Sequence, residues 1–563
     1  MAATLKGNES VSKLKTEIMA RDRKSKAEIK RIFDRYEKMR YFVVLEGVIV
    51  GAFGGGAAVL FRYILEKVSV IVPKVIALSG VSGIGSGAAG LAAESASAAA
   101  GGVHIGMIAA WFAVLLLAAA VTRLLVFAEP MIGGSGIPQV DGEMHGYFDL
   151  KWWRVLAAKI VGGLITLGCG LCLGREGPSV QIGAMAGKGF SRITGRMLTE
   201  ERLLITCGAS AGLAAAFNAP LAGAIFALEE IHKNYSLNVL LPALSASITS
   251  DFVCRRVFGL KPVFDFSGAG AIQSKYFWIV IIMAVAVGLL GAAYNAGIAV
   301  CQDLYDKVSR KRAGGYIRTA IPFVICGIVT FTFPIALGGG SGLVMDISEG
   351  LPLKLLAALL VVRFFYSIVS FSSGVPGGIF LPLLAMGAVC GGITHGIAGA
   401  AGIEISLAGL VAVAMVASFS AIVRSPVTGI VLLTEMTGNL DLLIFMALAA
   451  LVAYATADLV HAEPVYEQLL HRMLVKQGQI TKTEEDEKVI IEEPVEIGSA
   501  ACGMKAGNLS LPAGCVLVTI KRDGGEIIPD AETELRPLDV ICVLCMKNRI
   551  HRVQHMLDKR CRA

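Results

Sequence analysis

The chain has 563 residues, of which 55% are hydrophobic and only 17% charged, with a formal net charge of +7 and a mean hydropathy of +0.68. Soluble domains carry roughly a quarter charged residues and about 7% glycine, whereas 65 residues here are glycine. These values exclude a disordered chain, a collagen-like fibre and a string of soluble domains, and they leave a polytopic membrane protein.

In chain order, the first region is a basic arm over 1–40, with 12 Lys/Arg against 6 Asp/Glu. It is expected in the cytosol, with a charged helix over 16–40. Anionic lipid headgroups suit it better than nucleic acid, and no nucleic-acid partner is expected. The opening MAATLKGNESVSKLK has no apolar h-region, so no cleavable signal peptide is expected.

The apolar body follows over 41–475, with halves placed at about 41–235 and 236–475. Its apolar segments include 41–65, 104–128, 155–173, 203–230, 238–258, 276–301, 318–337, 353–371 and 379–399. Shorter ones follow over 406–419, 427–438 and 441–460. Several are shorter than the roughly 20 residues of a simple span, and many contain Gly or Pro. Broken helices at membrane depth are tolerated where they face protein or a watery cavity, which is a transporter pattern. The Gly/Ala/Ser-rich stretch 80–102 reads as a loop. Lys188, Arg192, Arg196 and Arg202, then Lys307, Arg310, Lys311, Arg312 and Arg318, mark basic loops. By the positive-inside rule both termini are cytoplasmic.

Two halves also show as an internal repeat. Gly133-Gly-Ser-Gly-Ile137 recurs as Gly339-Gly-Ser-Gly-Leu343, an offset of 206. Gly174-Arg-Glu-Gly-Pro178 is echoed near 203 by Gly377-Gly-Ile-Phe-Leu-Pro382. Ala219-Pro220 returns at 206 as Ser425-Pro426, and the same register aligns Glu229 with Glu435. Duplicated halves place a transport site at their interface. The repeat alone leaves open whether the halves are parallel or inverted.

Gly134-Ser135-Gly136-Ile137-Pro138 reads as a helix start with free amides and a hydroxyl donor, a ready anion site, or else a tight helix-breaking turn. Arg175-Glu176-Gly177 has the same grammar plus a charge pair. An intramembrane carboxylate is a functional candidate by default. At a helix start Glu176 can take the place of an anion, and once protonated it can leave. The alternatives for Glu176 are a salt bridge with Arg175 or a simple cap. Gly378-Ile379-Phe380 offers amides and an apolar wall. Glu229, with its repeat mate, reads as structural. Glu230 has Met436 in the matching place, so it is either a specialised proton site or a charge facing the cytosol. Tyr466 is either a phenol donor to an anion or an interfacial anchor. Seven of the twelve cysteines lie in the apolar body as small hydrophobes, and Cys542-x-x-Cys545 falls in a strand-like run; no metal site is expected.

Taken together, GSGIP at 134–138, GREGP at 174–178, NAPLAG at 218–223, GGIFLP at 377–382 and Tyr466 resemble the CLC family of chloride channels and chloride/proton antiporters. The resemblance covers about 41–470. It implies an all-α polytopic membrane protein with two inverted repeats of tilted and broken helices, assembled as a homodimer. It implies chloride held by the Ser135 and Tyr466 hydroxyls and the amides of Ile379 and Phe380. Gly134, Gly136, Ile137, Pro138, Arg175, Gly177 and Gly378 would support the anion path. Glu176 would be the external gate and proton carrier, and Glu230 the internal proton-transfer residue. An acid at position 230 favours exchange over a passive voltage- or pH-gated chloride channel. Gln139-Val-Asp141 stands where close bacterial relatives carry two glutamates.

After an acidic linker, 476–487, residues 488–563 alternate apolar runs with turns and end in a helical stretch over Arg549–Lys559. This small α+β cytosolic domain resembles the TrkA-C (RCK C-terminal) regulatory domain. The resemblance implies dimerisation and, in some members, cyclic di-AMP binding. The usual Gly-Asp turn reads Leu538-Asp539 here. The expectation is a chloride/proton antiporter of the cell membrane with no resident cofactor, possible regulation by cyclic di-AMP or another nucleotide at the tail, and no enzymatic activity. A cation transporter is disfavoured by the amide-donor motifs, and an intramembrane enzyme by the lack of a nucleophile–base pair.

Overall fold

The computed structural model describes residues 42–81, 104–478 and 488–561, except 234, 261, 267, 269, 271, 310–313, 497, 498, 510, 513, 523, 524 and 547–549. The basic arm, all but the first two residues of the loop expected over 80–102, and most of the acidic linker lie outside the described residues. Contacts divide the chain into two compact units, Met1–His471 and Arg472–Ala563.

The first unit is helical. In order it contains α1 (42–68), α2 (Ile71–Ser79), α3 (Ile105–Ala128), α4 (Ile137–Met144), α5 (Trp152–Gly168), α6 (Glu176–Thr194), α7 (Leu198–Phe217) and α8 (Pro220–Phe226). It continues with α9 (Leu237–Phe258), α10 (Phe277–Ser309), α11 (Gly314–Thr332), α12 (Ser341–Glu349) and α13 (Leu353–Ser372). It closes with α14 (Phe380–Ala400), α15 (Leu407–Val423), α16 (Pro426–Thr437) and α17 (Leu443–Leu459), and α18 (Val465–Lys476) begins in it. Among the described residues, seven helices are long and apolar enough to cross a membrane, and three of 10–17 residues are apolar but shorter. On α3, Leu117, Leu124 and Phe127 are 66%, 61% and 72% exposed. A helix that shows such side chains outward is solvated by lipid.

The repeat is present, but in two registers. Short 3-10 turns at Pro130–Ile132 and Pro334–Ala336 lie 204 residues apart, and the starts of α4 and α12 keep that spacing. Left-handed glycines follow it too: Gly134 and Gly136 match Gly338 and Gly340. Hence Ser135 corresponds to Gly339, not Ser341. The sequence match at 206 aligned letters, whereas glycine's access to positive φ sets the turn. The starts of α6 and α14 pair Glu176 with Phe380, again at 204. From α8 and α16 onward the offset is 206, as read from sequence.

Close helix contact depends on glycine. A Cβ at Gly183 or Gly187 of α6 would lie 2.1–2.2 Å from the Gly208 and Leu204 carbonyls of α7. Gly387 and Gly391 of α14 meet α15 the same way, with the Ala414 and Leu410 carbonyls 2.6 Å from a built Cβ. Without water to drive helices together, such small-residue seams supply van der Waals contact.

The second unit is a four-stranded antiparallel sheet in the order β1-β4-β2-β3, from β1 (Lys488–Pro494), β2 (Val516–Arg522), β3 (Gly525–Ile527) and β4 (Val540–Met546). Helix α19 (Ile550–Cys561) contributes Val553, Leu557 and Cys561 to a core with Ile491, Ile520, Ile541 and Val543. The tip of the β2–β3 hairpin, 523–524, lies outside the described residues. Leu538, where the sequence resemblance leads one to expect glycine, adopts φ 70°.

Candidate functional site

Three glycine-rich turns meet at the centre of the first unit. Gly174 and Gly378 exchange both backbone hydrogen bonds at 2.7 Å, an isolated antiparallel bridge between the halves. Gly377 N–H donates to the Gly134 carbonyl at 3.0 Å, and Gly134 N–H donates to the carbonyls of Gly374 and Val375. The turns point helix starts at one another, so amide dipoles converge.

Glu176, fully buried, opens α6. Its Oε1 accepts from the Leu381 amide at 2.9 Å, and the Phe380 amide also interacts with the carboxylate. The carboxylate of one half thus lies on the helix start of the other. Of the alternatives left open by sequence, the ion pair with Arg175 is absent: that guanidinium turns to Glu66 at 3.5 Å. A Cβ at Gly174 would stand 1.9 Å from Glu176 Oε1, and one at Gly177 2.5 Å from Ser135 Oγ. Both positions must be glycine for these side chains to sit where they do.

Ser135 and Tyr466 are buried, at 2% and 1% exposure. Their hydroxyls are near neighbours, yet neither makes a hydrogen bond of ordinary geometry. Buried donors are normally satisfied, so these two are suited to a shared anionic guest. Tyr466 also lies within electrostatic reach of both Glu176 and Glu230. Ile379 precedes α14, and Phe380 packs against Phe217, Phe226 and Phe419 with ring centroids 4.4–6.4 Å away, forming the apolar wall.

Glu229 and Glu230 lie on a π-helical segment, Ala227–His232. The widened turn, a form common at functional sites, sends both toward the start of α16. Glu229 accepts from the Val427 and Thr428 amides, while Glu435 accepts from Leu221 and Ala222 at the start of α8. This reciprocal capping satisfies otherwise orphaned helix-start donors. Glu230 instead accepts the Ser425 hydroxyl proton at 2.5 Å. It lines a cavity of about 240 Å³ with Lys233, Ser425 and Glu467. A cavity of about 720 Å³, lined by Arg62, Arg175 and Leu381, opens beside Glu176.

Sequence reasoning missed Lys159 and Arg363, both fully buried. They hold loop carbonyls around the two glycine turns. A cation inside an apolar segment was the available signal. Ser425 as the partner of Glu230 had none beyond its repeat match.

Residues 113–458 match the family described as voltage gated chloride channel, and residues 490–558 match the TrkA-C domain. The H(+)/Cl(-) exchange transporter ClcA of Vibrio cholerae is 36% identical over 379 residues, 65% of this chain and 81% of that protein. ClcA of Yersinia pestis is 36% identical over 384 residues, 66% and 79% respectively. Among solved structures, a slow cyanobacterial Cl-/H+ antiporter aligns at TM-score 0.67 and 26% identity, over 77% of this chain and 99% of that one. A eukaryotic CLC transporter aligns at TM-score 0.60 and 19% identity, over 77% and 75%, a likeness of fold alone.

Proposed function

The chain belongs to the voltage gated chloride channel (CLC) family, and on that premise we propose that it exchanges chloride for protons across the cell membrane. The observation that carries the reading is the Glu176 carboxylate seated on the Leu381 amide. An anionic side chain there, also touching the Phe380 amide, competes with chloride at this helix start, and protonation weakens its hold and releases it. Exchange follows if that protonation is linked to the far side, where Glu230 faces a separate cavity. The names of the 36% identical relatives favour exchange over passive conduction.

In this reading chloride sits between the Ser135 and Tyr466 hydroxyls and the amides of Ile379 and Phe380. Gly134, Gly136, Ile137, Pro138, Gly177 and Gly378 let the backbone approach it, and Arg175 draws anions toward Glu176. Glu176 carries the proton on the external side, and Glu230 relays it to the cytosolic side. The protein works as a homodimer with both termini cytoplasmic, and the TrkA-C domain takes a small nucleotide such as cyclic di-AMP.

The test uses purified protein in sealed liposomes with a chloride gradient, no proton gradient, and the voltage clamped by valinomycin. Proton movement driven uphill by chloride is the expected result. Chloride flux without proton movement overturns exchange and makes the protein a chloride channel of the same fold.

A further inference from the structure

Lys233 follows the π-helical segment in a left-handed conformation, φ 51°. It lines the same cavity as Glu230. Its Nζ lies 2.7 Å from Glu467 Oε1 and 3.9 Å from Asp141 Oδ2. Its charge also reaches Glu230. The two partners come from the elements that carry the paired hydroxyls. Asp141 is on α4, the helix that Ser135 leads into, and Glu467 follows Tyr466 on α18.

We propose that Lys233 is a positioning residue for proton transfer at Glu230, tying the three elements together at the cavity rim and balancing the carboxylates that share it. The inference rests on the coupled-exchange reading above. Three acids, Asp141, Glu230 and Glu467, interact with this one ammonium. The other charged or titratable groups facing the cluster are accounted for. His145 pairs with Asp141 at 2.9 Å from the end of α4. His232 adjoins Lys233 and feels Arg202 of α7 and His145. Glu229 is engaged with the α16 amides and with the Tyr235 hydroxyl, which lines the same cavity, and the Tyr466 hydroxyl lies within electrostatic reach of Glu230. Arg424, also on the cavity, donates to the Tyr454 and Ala462 carbonyls. Lys233 is therefore the ammonium that pairs with Glu467 and Asp141 and acts on Glu230 through its charge.

Removing a cation beside carboxylates makes them hold protons more tightly. In liposomes at a series of matched internal and external pH values, Lys233→Met should move the midpoint of chloride-driven proton flux to higher pH, by about one unit. Lys233→Arg should restore the wild-type midpoint. Glu467→Gln, which removes an acid instead, should move it to lower pH. An unmoved Lys233→Met midpoint, or equal-sign shifts in Lys233→Met and Glu467→Gln, overturns the proposal. Should Lys233→Met fail to fold, Glu467→Gln decides alone, and an unmoved midpoint there overturns it. A wild-type protein that moves no protons fails the exchange reading and this inference together. Wild-type proton movement with unmoved variants fails the inference only.

Discussion

Lys159 and Arg363, 204 positions apart, do the same work in the two halves. Lys159 Nζ donates to the Ile132 and Gly134 carbonyls at 2.8 and 2.7 Å. Arg363 donates to Ala336 at 3.1 Å, Gly338 at 3.3 Å and Gly339 at 2.8 Å. Ile132 and Gly134 are themselves the 204-residue mates of Ala336 and Gly338. Each half uses a buried basic side chain to satisfy the carbonyls that a glycine turn leaves inside an apolar body.

Replacing Lys159 with Met removes the donor and leaves those carbonyls unpaired, at about 1–3 kcal/mol each. Thermal unfolding in detergent should show a clear loss of stability, and Lys159→Arg should recover part of it. A Met variant that melts with the wild type would remove this role.

Glu176→Gln cannot cycle between an anion-like and a neutral form. Proton flux should fall by about 100-fold while chloride flux persists. Glu230→Gln should likewise block protons and spare chloride. Intact coupling in either variant, read by external pH under a chloride gradient, counts against its assigned role.

Gly174→Ala leaves the carboxylate chemistry untouched but places a methyl 1.9 Å from the present position of Glu176 Oε1. The side chain must then leave the Leu381 amide. Chloride flux should become less dependent on pH, in the direction of Glu176→Gln. An unaltered pH dependence would mean that the seat tolerates the methyl.

In the tail, Leu538 sits at φ 70° with 76% of its surface exposed. A left-handed non-glycine residue costs about 1–2 kcal/mol, and this one recovers little by burial. Leu538→Gly should stabilise the domain by about 1 kcal/mol, visible as slower hydrogen exchange of the β4 amides in the full chain.

Burial would raise the neighbouring Asp539 carboxyl, but hydrogen bonds from the Arg522 side chain and the Arg536 amide outweigh it and hold it below 3.8. A depressed carboxyl stabilises the fold above its unfolded value, and that contribution is lost as pH falls through the lower folded value. Asp539→Asn should therefore cost about 2 kcal/mol at neutral pH, with the difference shrinking once the pH is below both values. A gap that persists in strong acid would assign the effect to packing.

Composition and pattern along the chain were enough to reveal the membrane body, the duplicated halves, the glycine-rich helix starts and the mixed sheet-and-helix tail. All but the duplication are local. Apolar runs interrupted by Gly and Pro, and alternating β-rich runs, carry their own signal within a few residues. Glu229 was legible as structural because its repeat mate Glu435 was visible at the same offset.

Which atoms meet depended on the folded packing. It set the turn register at 204, because backbone torsion at Gly134 and Gly338, and not letter identity, defines the turn. It sent the Arg175 guanidinium to Glu66 and the Glu176 carboxylate to Leu381, 205 residues away. It brought Ser425 to Glu230 and Lys233 to Glu467. Such pairings depend on how two halves dock, and a buried polar group takes whichever partner that docking brings within reach.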